Sequence, residues 1–166
     1  MSTLNYPKTG EYNFPRKNIL VLSCMDLRLT DNLVDFLNFD NLHNRYDHFI
    51  LAGTSLLTTK DRKDLFVKGV HEQYAHWNEA LKNHIELAIN LHQIKDVYII
   101  EHQGCGAYTN LLDAKKVDLS TTEAEIKCHK AFAVELAKRI IKEYKLHVHC
   151  FFIDLRGNVK LLWTEQ

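Results

Sequence analysis

Glycine and proline are scarce, at six and two residues in 166, and neither forms a tract that would divide the chain. With no internal repeat and no low-complexity segment either, linker-joined and repeat architectures are excluded. One domain is expected over residues 1–166, with residues 1–17 as a polar N-terminal arm. An excess of one charge is also missing: Lys plus Arg and Asp plus Glu both number 21, for a formal net charge of zero. A nucleic acid or an anionic membrane would select a basic surplus, so neither partner is expected. No apolar run approaches the ~20 residues that span a bilayer. Residues 1–17, with Pro7 and Pro15, lack the basic-then-apolar layout of a secretion signal. The expected compartment is the cytoplasm, where Cys24, Cys105, Cys128 and Cys150 stay thiols. No Cys-x-x-Cys motif occurs, which removes a dithiol redox reading.

What is present is a 46% hydrophobic chain, long enough to bury a core without staples. Residues 18–23 (Asn-Ile-Leu-Val-Leu-Ser) form an unbroken apolar run, as in a strand covered on both faces of a parallel sheet. The segment after it, Cys-Met-Asp-Leu-Arg, is not a Gly-rich phosphate turn, so a dinucleotide site is excluded. Thr30 is placed to cap a short helix presenting Leu33, Phe36 and Leu37 to the core. Residues 48–52 read as a second strand ended by Gly53. From 54 to 77 the pattern is irregular, with Leu65, Phe66 and Val70 suggesting a helical piece capped by Thr58, Thr59 or Asp61.

Leu81, Ile85, Ala88 and Ile89 recur at helical spacing within residues 79–91, and residues 96–100 follow as a third strand. Ser120 and Glu123 have capping-box spacing at the head of a long helix carrying Ile126, Ala133, Ala137, Ile140 and Tyr144. Residues 148–153 and 159–163 are two closing strands around a turn with Gly157. Strands alternating with helices predict an α/β fold, a doubly wound, mostly parallel sheet of order 2-1-3-4 with a last edge strand, flanked by helices. In that order the first and third strands are neighbours where the winding reverses, and ligands bind outside their carboxyl ends.

Those two ends carry Cys24-Met25-Asp26-Leu27-Arg28 and His102-Gln103-Gly104-Cys105-Gly106. Two thiolates and an imidazole suit a tetrahedral Zn2+ ion, with one position left for an exchangeable group. Asp26 is close enough in sequence to fill that position, or to pair with Arg28 and stay off the metal. A lone strand-end cysteine is more often a core thiol, and Asp26 with Arg28 can be a plain ion pair; two half-sites on facing strand ends outweigh both readings. Gly104 and Gly106 suit a turn out of the third strand, and the Gly106 amide, ahead of a helix, can face an anion.

Cys-x-Asp-x-Arg after one strand and His-x-x-Cys-Gly after a later one resemble the paired signature motifs of the β-carbonic anhydrases. The resemblance runs from about Asn18 to the last strand. It implies zinc held by Cys24, His102 and Cys105, a catalytic dyad of Asp26 and Arg28, and substrate near Gly53 and Gly106. The implied reaction is reversible hydration of carbon dioxide to bicarbonate, in a homodimer or higher oligomer whose site lies at the subunit interface. The chain is a divergent member on this reading. Leu51 precedes Ala52-Gly53 where the family has an Arg-Asn pair, Leu27 replaces a small hydroxyl residue, and Glu101 replaces a glycine. Leu27 is expected to narrow or dry the pocket, and Glu101 to tune His102 or add negative charge near the metal. These departures keep two alternatives open: turnover of another small molecule such as carbon disulfide or carbonyl sulfide, and a non-catalytic zinc-binding relative.

The other candidates read as ordinary. His147 and His149 alternate onto one strand face and are expected to be solvated; Cys128 and His129 are adjacent on a helix and point apart. Cys150 reads as core, and His71, His76, His84 and His92 as surface. Tyr6, Tyr12 and Phe14 are expected either to pack on a partner subunit or to lie in a loose arm.

Overall fold

The computed structural model of the chain describes residues 17–165, so the expected arm, with Tyr6, Tyr12 and Phe14, lies outside the described residues apart from Lys17. Five strands form one sheet in the order β2-β1-β3-β4-β5: β1 Ile19–Ser23, β2 Tyr46–Ile50, β3 Asp96–His102, β4 His147–Ile153 and β5 Val159–Thr164. The first three pairings are parallel and β5 runs antiparallel to β4, as the strand pattern predicts. The helices are α1 Thr30–Phe39, α2 Val70–Tyr74, α3 Trp77–His92, α4 Gly106–Leu111 and α5 Thr122–Tyr144.

Side-chain alternation sorts the core into two layers. Val97 and Ile99 of β3 join Leu81, Ile85 and Ala88 of α3 and Ala133, Leu136 and Ile140 of α5 on one face. Ile100 of β3, Ile19 and Val21 of β1 and Ile153 of β4 pack against Leu33 and Leu37 of α1 on the other. All five residues of β1 are buried, which is why that strand shows no polar alternation. Its register puts Ser23 beside both Ile50 and Ile100, so β1, β2 and β3 finish at one edge.

Several boundaries move from the sequence expectation. β3 extends two residues beyond Ile100, because pairing with β4 continues through Glu101↔Phe152 and His102↔Ile153. β2 starts and ends two residues early, and the chain then turns through Gly53 and Thr54, both with positive φ. Thr30 does not cap α1. A 3-10 turn at Leu27–Leu29 precedes the helix, and Asp26 caps that turn through the Arg28 amide. The α5 cap is Thr121, whose side chain accepts from the Ala124 amide, because Asp118 already takes the Ser120 amide. Between β2 and α3 the chain makes 3-10 turns at Leu56–Thr58 and Lys63–Leu65 and the short α2, whose cap position is Gly69 and not Thr58, Thr59 or Asp61.

Candidate metal centre

Cys24 leaves the end of β1, and His102 is the last residue of β3. The chain then reverses through Gly104, at φ +65°, a left-handed conformation that glycine adopts without a Cβ penalty. That turn sets Cys105 at the cap position of α4. The expected three residues therefore meet: the donor atoms of Cys24, His102 and Cys105 lie within 4.8 Å of one another. This is the one such cluster of His, Cys and acidic donors among the described residues.

The cluster fits a tetrahedral ion. The two sulfurs are 3.9 Å apart, against ~3.8 Å for the edge of a tetrahedron with zinc–sulfur bonds of ~2.3 Å. His102 Nδ1 donates to the Gln103 carbonyl at 2.9 Å, which leaves Nε2 with its lone pair. That Nε2 is buried and has no hydrogen-bond partner among the described residues, a costly arrangement unless something coordinates it. The Cys24 thiol is lowered to about 4, chiefly by its hydrogen bond with Cys105, against the opposing effect of burial; His102 and the Gly53 amide, 3.3 Å from the sulfur, also lower it. Cys105 is raised by the same bond and by burial. Burial opposes protonation of His102, but the neighbouring Cys24 sulfur and its charge outweigh it and raise the imidazole. Cys24 is thus the sulfur favoured as thiolate, while an ion bound here would have to displace the protons of Cys105 and His102.

Asp26 and Arg28 stand beside the donors. Asp26 Oδ1 accepts from the Arg28 amide at 3.0 Å and from Nε at 2.9 Å, and Oδ2 accepts from Nη2 at 2.5 Å. Arg28 Nη2 also donates to the Gly104 carbonyl at 2.9 Å. Those bonds from Arg28, first among the causes, hold Asp26 at about 2 despite partial desolvation. Asp26 Oδ2 is 4.0 Å from His102 Nε2. A cavity of about 270 Å³ opens against Cys24, Asp26 and His102, walled mainly by apolar side chains that include Leu29, Leu33, Ile100 and Ile153. Ser23 and His48 add polar groups, joined Oγ to Nε2 at 2.6 Å. A larger groove of about 470 Å³ between α3 and α5 includes none of the three donors.

Gly53 packs so closely that a Cβ would meet that of Leu56 at 2.9 Å, and its amide faces the Cys24 sulfur. Gly106 follows Cys105 as the first residue of α4. Leu27 is 86% exposed and does not wall the cavity, so it does not narrow or dry it in this chain. Glu101 does not bond to His102, though its negative charge helps to raise both His102 and Cys105. The two alternate along β3, so Glu101 faces α5, where it accepts from the Ser55 hydroxyl, the Ser55 amide at 3.2 Å and His129 Nδ1 at 2.8 Å.

His129 is fully buried and stacked on Tyr108 with ring centroids 3.6 Å apart. Sequence reasoning missed Ser55, Tyr108, Glu125 and His129. The available signal was Glu101 itself, a carboxylate in an apolar strand that must find buried donors. His71 is buried too, not at the surface, with Nε2 on the Thr59 carbonyl at 2.9 Å and its ring against Phe66. His149 is only partly exposed, bonded to Thr164 at 2.9 Å, while Cys150 is core as expected.

No family model matches the sequence. Among solved structures, a β-carbonic anhydrase of Aspergillus fumigatus aligns with TM-score 0.58 over 96% of this chain and 95% of its own, at 12% identity. A tetrameric β-carbonic anhydrase of Sordaria macrospora aligns with TM-score 0.56 over 90% and 83%, at 16% identity. The apo form of a carbon disulfide hydrolase aligns at 0.50 over 87% and 78%, at 14% identity. The chain has the β-carbonic anhydrase fold. By sequence it is 32% identical over 149 residues to an uncharacterized protein of Rickettsia bellii (strain RML369-C), covering 89% of this chain and 82% of that protein. It is 31% identical over 146 residues to an uncharacterized protein of Rickettsia conorii (strain ATCC VR-613 / Malish 7), covering 87% and 71%. The chain belongs to the family that these two rickettsial proteins represent.

Proposed function

We propose that this chain is a zinc-dependent carbonate dehydratase, interconverting carbon dioxide and bicarbonate. The observation that carries the reading is the Asp26–Arg28 pair set beside Cys24, His102 and an orphaned, buried Nε2. Cys24, His102 and Cys105 would hold the ion. When bound, zinc supplies a Lewis acid that brings water acidity to ~7. Asp26, ionised at neutral pH, accepts a proton-bearing edge of the attacking water and turns a lone pair toward the carbon. Arg28, tied to the Gly104 carbonyl, keeps that carboxylate charged and oriented. The apolar wall beside the dyad, at Leu29, Leu33, Ile100 and Ile153, would accept a nonpolar substrate; Gly53 and Gly106, the substrate positions that the resemblance implies, do not line that cavity.

The working form on this reading is a homodimer or higher oligomer in the cytoplasm, built from one domain per chain. Met25, Leu27, Phe39 and Ile50, all at least half exposed, provide apolar surface on and around the segments that build the site. Among the described residues no helix is long and apolar enough to cross a membrane.

A second reading, hydrolysis of a carbon dioxide analogue such as carbon disulfide, draws support from the apolar cavity wall, which suits a substrate that makes few hydrogen bonds. Stopped-flow assay of metal-quantified protein with each substrate, from ~pH 6.5 to 9 around the ~7 midpoint of zinc-activated water, separates the two. Zinc-dependent hydration of carbon dioxide that is lost in Cys105→Ala supports the first. Stoichiometric zinc with no hydration across that range excludes it.

A further inference from the structure

The loop that carries Cys105 is gripped from both sides. Gly104 lies between two metal-donor residues and holds a left-handed φ of +65°. Its amide donates to Glu125 Oε1 at 2.6 Å, and its carbonyl accepts from Arg28 Nη2 at 2.9 Å. The first bond ends on a carboxylate and the second starts on a guanidinium, so both belong to the stronger, charge-assisted kind.

Glu125 is itself placed by α5. It stands in the first turn of α5, where its own amide bonds to the Thr121 carbonyl at 2.9 Å, and its carboxylate lies 3.8 Å from His129 Nε2 one turn on. His129 cannot swing away, because Glu101 holds its other nitrogen and Tyr108 lies flat against the ring. A line runs Glu101, His129, Glu125, Gly104, Arg28, Asp26, hydrogen-bonded at every step except His129 to Glu125, which face each other at 3.8 Å. It starts in the core behind the sheet and ends at the carboxylate nearest the metal donors.

We propose that Glu125 is a positioning residue: through the Gly104 peptide and Arg28 it keeps Asp26 paired and off the metal, so that the fourth coordination position stays exchangeable. The proposal rests on the metal reading above. Without the Glu125 oxygen the Gly104 turn is held on one side only, Arg28 loses a fixed acceptor, and Asp26, 4.0 Å from His102 Nε2, is freed to enter the coordination position. Charge strengthens the bond, and reach decides whether it is made at all. Gln at 125 keeps an oxygen at the same distance, whereas Asp keeps the charge at the helix start but falls one methylene short.

The test uses the full chain loaded with Co2+, whose thiolate charge-transfer bands report loading and whose visible bands report the fourth ligand, with thiocyanate as the probe of that position. Wild type and Glu125→Gln are expected to respond alike to thiocyanate. Glu125→Asp and Glu125→Ala are expected to bind it about 10-fold more weakly or worse, the scale of supporting-residue effects at metal sites, and to show altered visible bands before any anion is added. Combined with Arg28→Ala, the Glu125→Asp change should add nothing, since both act through one peptide. The proposal is overturned if Glu125→Asp matches wild type, if Glu125→Gln is the impaired variant, or if the double variant is additive. Absence of thiolate bands in loaded wild type overturns it at a different level, by removing the metal site itself. A Glu125→Ala chain that does not fold leaves the Asp and Gln pair to decide.

Discussion

Cys24 Sγ and Cys105 Sγ stand 3.9 Å apart, nearly twice the ~2.05 Å of a disulfide and close to the edge of a zinc-centred tetrahedron. Residues 81 positions apart in sequence are thus held at ligand spacing by the pairing of β1 with β3.

One zinc per chain is the first expectation, measured by elemental analysis of purified protein. Cys105→Ala and His102→Ala should each fall well below that. Stripping the ion with a chelator should lower the melting temperature of wild type but not of Cys105→Ala. With ion at a thousandfold excess over its dissociation constant, the linkage effect is about 4 kcal/mol. Equal melting temperatures with and without chelator would sink the assignment.

The dyad is tested by Asp26→Asn and Arg28→Ala. Loss of a positioned proton acceptor typically slows a reaction about 100-fold or more, so kcat for carbon dioxide hydration should fall on that scale in both, with zinc content retained in Asp26→Asn. Unchanged kcat in either variant would reduce the pair to a surface ion pair.

The Glu101–His129 pair makes a stability prediction. Both side chains are fully buried. His129→Ala leaves a buried carboxylate short of a partner, which costs about 3–5 kcal/mol in comparable buried pairs. Urea denaturation should register that loss, and the double change Glu101→Leu with His129→Leu should recover much of it. A single variant as stable as wild type would mean that Ser55 alone satisfies Glu101.

His48 sets a pH dependence. Burial lowers its imidazole below the ordinary value, so the folded state prefers the neutral ring. A group depressed on folding contributes stability that is present above its unfolded value, ~6.5, and is lost as pH falls through its folded value. The melting temperature of wild type should therefore drop more steeply below ~6.5 than that of His48→Gln. Parallel curves would exclude the effect.

Oligomerisation is read by sedimentation. Ile50→Asp puts a charge on the half-exposed apolar surface at the end of β2 and should shift the protein toward monomer. If Ile50→Asp sediments as wild type does, the subunit contact lies elsewhere.

Much of the fold was legible because parallel sheets bury whole strands. Ile19 to Leu22 and Val97 to Ile100 announce themselves as apolar runs, and the reversal between β1 and β3 then places Cys24 beside His102. What escaped depends on parity and on packing. Ending β3 at Ile100 left Glu101 in a loop near the metal; carrying the strand through His102 sets the two on opposite faces. Glu125 and His129 are one helical turn apart and look like ordinary members of a charged helix until α5 is docked on the sheet. The exposed Leu27 shows the limit of reading one chain, since its surroundings are set by surface and not by core periodicity.

The donors come from two distant segments, one thiol just after β1, the imidazole at the end of β3 and the second thiol at the cap of α4. A nascent chain that has emerged only as far as β2 offers a metal a single sulfur, no better than any free thiol in the cell. Capture of the ion must wait until β3 has been made and laid against β1. On the metal reading, loading would therefore have to follow the pairing of β3 with β1, and an ion seated there would seal a loop of about 80 residues that would otherwise have to be re-closed each time the chain opened.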